Sequence, residues 1–214
     1  MTISNPYRFY PPRWLDYDLR ARVVHLFPEF SRAADVNRFG ARYRLASAFR
    51  GVTLEGYGEA TSAGYDALTR LTLAWSAFEG LLPAIRMTTH QYSAITARYD
   101  PRGCLEDVRR ADPPGRVIEF VADHLKSERQ RTILREFLQG NDCCLLTMAA
   151  AVRHVFVHSA LTPNANQADP AAVVRVCDRL TAMLTRVMNR EFSERVERLV
   201  EMFPDNPILD DVPF

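Results

Sequence analysis

Arg153, His154 and His158 interrupt the apolar run CCLLTMAAAVRHVFVHSALTPN (143–164). The ten residues before Arg153 carry no charge, and Val155, Phe156 and Val157 are apolar again. Burying an unpaired cation costs several kcal/mol or more. These groups are therefore either satisfied inside a core or face a place where something charged binds. Their types define a chemistry. Imidazole titrates near neutrality and moves protons to and from hydroxyls. A guanidinium clamps a phosphate and stabilises charge on its oxygens. RNA carries its own nucleophile, the 2′-OH. A histidine base and an arginine clamp then suffice for transesterification to a 2′,3′-cyclic phosphate and a 5′-OH, and this chemistry requires no metal or other cofactor.

The spacing sets a condition. Five helical steps of about 100° leave Arg153 and His158 about 140° apart. From mid-helix they cannot grip one ligand within one subunit. Either the helix loosens before Ser159 and swings His158 round, or two copies meet across a two-fold axis and share a cleft.

The totals bound what can hold such a site. At 214 residues, 47% hydrophobic and 25% charged, the composition is that of a soluble globular chain. No CxxC pair occurs among Cys104, Cys143, Cys144 and Cys177, which argues against a zinc site or a disulfide framework. We expect a reducing, cytoplasmic compartment. The N-terminus MTISNPYRFYPPRW has no apolar core of a signal peptide, and no apolar run is long enough to span a membrane. Net charge is +1, but of the 27 basic residues only Lys126 is a lysine. Arginine excess suits phosphate recognition. A genome composition that favours arginine codons gives the same excess.

The elements read as helices throughout. Residues 1–14 form an aromatic arm, in which Tyr7, Tyr10 and Trp14 either pack on their own domain or stack on bases. Residues 15–27 and 30–50 lean helical, with Leu19, Val23, Val24 and Leu26 as buried candidates. Gly51, Gly56, Gly58 and Gly64 read as a loop. Tyr65, Leu68, Leu71, Trp75, Phe78 and Leu82 then recur in three- and four-residue steps, an amphipathic helix that Pro83 ends. Residues 84–99 read as a further helix, DPRG (100–103) as a turn, and 116–125 as a helix. Ser127 with Gln130 reads as a capping box. Gly140 ends that helix, Asn141 or Asp142 caps the next, and Pro163 marks its far limit. Asp169–Pro170 opens a long helix to Phe203, striped by Val173, Cys177, Leu180, Leu184, Val187, Phe192, Val196, Leu199 and Phe203. No alternating strand pattern and no internal repeat occurs.

RHVFVH (153–158), late in the third of four core helices, resembles the Arg–polar–His signature of HEPN domains, with His154 in the polar slot. The resemblance spans roughly residues 60–203. The Tyr65–Leu82 helix, with Trp75, Phe78 and Glu79, looks like the first family helix, and the 170–203 helix looks like the last. It implies an all-α, HEPN-like up-and-down bundle over residues 61–204, with a helical N-terminal extension over 1–60, a long C-terminal helix and an extended acidic tail over 205–214. It also implies a homodimer, and a metal-independent endoribonuclease acting as a toxin or defence effector. Arg153 and His158 would be the catalytic residues, supported by His154, Glu79, Ser159 and Asn164. Ser159 stands where the family often has glycine. Ala160 stands where some family toxins carry the tyrosine modified by a nucleotidyltransferase antitoxin.

Two other readings stay open. One is a non-catalytic HEPN module that binds a nucleotide, RNA or a protein partner. The other is a structural helical protein whose Arg–His network pins the core, with Glu79 as the partner of Arg153. His25, His90 and His124 read as surface or core positions without a role.

Overall fold

The computed structural model describes residues 5–21, 28–99, 101–158, 160–165 and 168–204, with Tyr92 and Ser93 described in the backbone only. Val23, Val24, His25, Leu26 and the 205–214 tail lie outside the described residues. Every regular element described is helical: α1 (Trp14–Ala21), α2 (Ala33–Ala48), α3 (Glu59–Ala84), a 3₁₀ turn (Thr89–Gln91), α4 (Tyr92–Thr96), α5 (Pro101–Ala111), α6 (Arg116–His124), α7 (Glu128–Leu138), α8 (Leu145–Val157) and α9 (Pro170–Met202). The all-α reading stands. Among the described residues, no helix is long and apolar enough to cross a membrane.

The chain forms two compact units. The first comprises residues 1–48, 76–88 and 188–214, and the second comprises 49–75 and 89–187. Their borders fall inside α3 and inside α9.

The first unit is held by aromatic packing. Phe192 of α9 stacks on Trp14 at 5.5 Å between ring centroids and lies 5.5 Å from both Phe30 and Phe39. Trp14 in turn stacks on Tyr10 at 4.8 Å, so the N-terminal aromatic arm packs on its own domain. Gly40 has the Trp14 ring directly over its Cα, leaving no room for a Cβ. The charged groups buried here have partners. Asp35 meets Ser31, Arg32 and Arg38 at 3.0–3.2 Å, Glu191 meets Arg195 at 2.6 Å, and Arg20 donates to the Phe203 and Asp16 carbonyls.

The second unit is built round α8, which packs against α4, α5, α6 and α7. Leu145, Leu146, Met148, Ala149, Ala151, Val152 and Val155 of α8 are all buried. Leu68, Leu71 and Trp75 of α3 and Val173, Cys177, Leu180 and Leu184 of α9 are buried as their spacing requires. Two expected start signals hold. Ser127 Oγ accepts from Gln130 N at 3.4 Å, and Asp169 Oδ1 accepts from Ala171 N at 3.0 Å with Pro170 as the first helical residue.

Several local expectations are corrected. Gly64 lies inside α3, not in a loop, because a Cβ there would stand 2.5 Å from Cβ of Pro163. Of DPRG, Asp100 lies outside the described residues and the rest is helical, since Pro101 opens α5 in the first turn, where a missing N–H costs little. α3 runs past Pro83 to Ala84, and residues 85–99 hold only the 3₁₀ turn and the five-residue α4. Neither Asn141 nor Asp142 caps α8. Asp142 is drawn off by Arg102 at 3.2 Å and Arg109 at 3.9 Å, and Cys144 takes the cap position. α8 stops at Val157, well short of Pro163, and Phe203 at the far end of α9 is 36% exposed.

Candidate functional site

The last turn of α8 carries the Arg–His motif. The helix bond from His158 N to His154 O is regular at 3.0 Å, so the chain does not loosen before His158. Two further amides, those of Ala160 and Leu161, fold back onto the Val155 carbonyl at 3.1 and 3.2 Å and close the helix end. His154 and His158 therefore stay one turn apart on the same face, their ring centroids 4.3 Å from each other. Arg153 remains on another face, as the angular argument requires.

His154 and His158 open into a cavity of about 360 Å³ lined also by His124, Lys126, Val155 and Ala160. Three of the chain's five histidines and its single lysine thus meet at one place, with no carboxylate among the lining residues. The His154 imidazole is held below its usual range, first by burial and then by the like charges of His158, Arg153 and Lys126. At neutral pH it is the uncharged, proton-accepting form.

Arg153 does not line this cavity. It is half-buried, and its Nε is shut off from solvent with no hydrogen-bond partner among the described residues. Nε of Arg109 and of Arg131 is buried in the same way, but those guanidiniums are held elsewhere. Arg109 donates to the Asn141 carbonyl at 2.6 Å and lies over the Phe137 ring. Arg131 donates to the Leu125 carbonyl at 2.8 Å and pairs with Glu128. No described group pairs with Arg153. An unpaired buried donor is costly, so each one calls for an explanation.

The remaining expected site residues are dispersed. Glu79 is exposed and belongs to the first unit. Asn164 is exposed, and its Nδ2 donates to Thr61 Oγ1 at 3.4 Å at the start of α3. Ser159 lies outside the described residues. Two lining residues, His124 and Lys126, escape a reading of the sequence. A lone histidine thirty residues upstream of the motif carries no spacing signal. The rarity of lysine in this chain was the one available hint.

The four cysteines are free, and burial pushes the Cys143 thiol up to about 12, away from nucleophilic use. Among the described residues, no three His, Cys, Asp or Glu side chains are grouped to hold a metal ion. No family model, no curated protein and no solved structure matches the chain.

Proposed function

We propose that this chain is a HEPN-type endoribonuclease that cuts RNA without a metal, with its site at the end of α8. The observation that carries the reading is the cavity where His154 and His158 meet Lys126 and His124 with no facing carboxylate. Such a lining favours an anion and supplies groups that move protons near neutrality. In the reaction the RNA 2′-oxygen attacks the adjacent phosphorus and the P–O5′ bond breaks. The 2′-OH proton passes to an imidazole, and the departing 5′-oxygen takes a proton from an imidazolium. His158 is the proton-transfer group, and His154 is its neutral neighbour. Arg153 stabilises the phosphate oxygens in a two-fold homodimer, where the face it occupies is turned to the partner's site. The partnerless Nε of Arg153 supports a role beyond the structural one, because an arginine that only pins a core keeps a partner.

The test incubates wild type, His158→Ala and Arg153→Ala with a mixed RNA pool, with and without EDTA. Cleavage should persist in EDTA, leave 2′,3′-cyclic phosphate ends and spare DNA of the same sequence. His158→Ala should lose about 10²- to 10⁴-fold in rate. Intact RNA at high wild-type concentration, or equal cleavage by all three folded proteins, rejects the reading.

A further inference from the structure

Two of the cavity's four polar lining residues, His124 and Lys126, come from the corner between α6 and α7. His124 ends α6, and its Nδ1 lies 2.8 Å from the Phe120 carbonyl. A carbonyl only accepts, so Nδ1 carries the proton. The ring also stacks on Phe120 at 3.9 Å, which fixes its plane. Nε2 is thereby the free nitrogen. Lys126 follows two residues later, exposed and without an ion pair among the described residues. Its acidic neighbours along the chain are engaged elsewhere: Asp123 pairs with Arg135 at 3.2 Å and Glu128 with Arg131 at 3.0 Å. Among the described residues no carboxylate pairs with Lys126, so the corner presents an unpaired ammonium. A cavity of about 360 Å³ falls in the range of small-molecule sites.

We propose that the α6–α7 corner is the phosphate-binding half of this site, with Lys126 gripping the non-bridging oxygens and His124, once protonated at Nε2 as well as Nδ1, donating from Nε2 to the same group. The proposal rests on reading the cavity as a phosphodiester site and supplies the residues that hold the phosphate within one protomer. Anion binding has a further signature. The charged groups that face His154, namely His158 and Arg153 on α8 and Lys126 at the corner, now disfavour its protonation. A phosphate placed among them reverses that balance, so binding takes up protons and tightens as pH falls through the imidazole range.

The experiment titrates the full-length protein with inorganic phosphate and, separately, with an uncleavable deoxyoligonucleotide, following the histidine ring signals by NMR. The signals of His124, His154 and His158 should move together and saturate, while His90 stays still. Lys126→Met should weaken both ligands by about ten-fold or more, the scale of one charge-assisted contact. Lys126→Arg should restore most of the affinity. Arg129→Gln, an exposed charge on α7, should change it by less than about two-fold. Equal affinities for Lys126→Met and Arg129→Gln, or movement of the His90 signal alone, overturn the proposal. Phosphate bound here by a wild type that leaves RNA intact rejects the ribonuclease and keeps this site. RNA cleavage that Lys126→Met leaves unchanged, with unchanged binding, rejects this site and keeps the ribonuclease.

Discussion

The first unit and the end of α8 treat buried charge in opposite ways. Around Phe192, the buried Asp35, Glu191 and Arg20 each meet a partner within 3.2 Å, and aromatic rings fill the rest. At the end of α8, a half-buried guanidinium keeps an Nε with no hydrogen-bond partner among the described residues, and Arg153 and Lys126 both disfavour protonation of the nearby His154. The first arrangement lowers the free energy of the fold as it stands. The second is a cost in the chain as it stands, one that the proposed phosphate would offset. The two regions differ in whether a buried charged group meets its counterpart among the described residues.

Substitutions can break this contrast. The largest stability effect should come from Phe192→Ala, which removes the ring at the centre of the aromatic cluster. It should cost about 3–5 kcal/mol in a denaturant titration. A loss below about 1 kcal/mol would mean that the cluster does not hold the first unit. Glu191→Ala should follow at about 3 kcal/mol, because it leaves Arg195, only 14% exposed, beside an empty site. Arg153→Leu should behave differently, leaving stability within about 1 kcal/mol of wild type or raising it, since no pair is broken. A loss as large as that of Glu191→Ala would reveal a structural partner and remove the contrast.

The smallest effect concerns pH. His154 is harder to protonate in the folded chain than in the unfolded one. The unfolded state therefore binds the proton more readily, and stability falls as pH drops through about 6.5 and below. A fall in Tm of a few degrees is expected, at about 2–4 °C per kcal/mol for a chain of this size. Phosphate should reduce that fall, and His154→Gln should flatten it. A wild-type Tm unchanged down to pH 5 would contradict the electrostatic description of the cavity.

The sequence made the long elements legible, because α3 and α9 bury continuous stripes and because Asp169–Pro170 and Ser127 punctuate starts by local chemistry. It misled where a local signal had a non-local cause. Gly64 looks like a breaker but serves a close approach inside a helix. Asp142 looks like a cap, but two arginines from α5 compete for it. The motif at 153–158 could be found from residue types and spacing, and the same spacing showed that Arg153 and His158 face apart. The composition of the cavity could not be read. His124 and Lys126 join it through the packing of α6 on α8, which leaves no periodic trace in either segment.

The contact between Gly64 and Pro163 carries a consequence for how this chain can diverge. The segment just after the motif is clipped to α3 by Pro163 lying on a bare Cα and by Asn164 reaching Thr61. Even a methyl group at 64 would push that segment away, so positions 64 and 163 form a single steric unit. Among descendants of this sequence the two should covary: a side chain at 64 should appear only with a smaller residue, or a re-routed loop, at 163. Drift at a position that looks like an ordinary turn glycine would then register as a displaced strand of chain beside the histidines, a remote influence that no inventory of the cavity's own residues would expose.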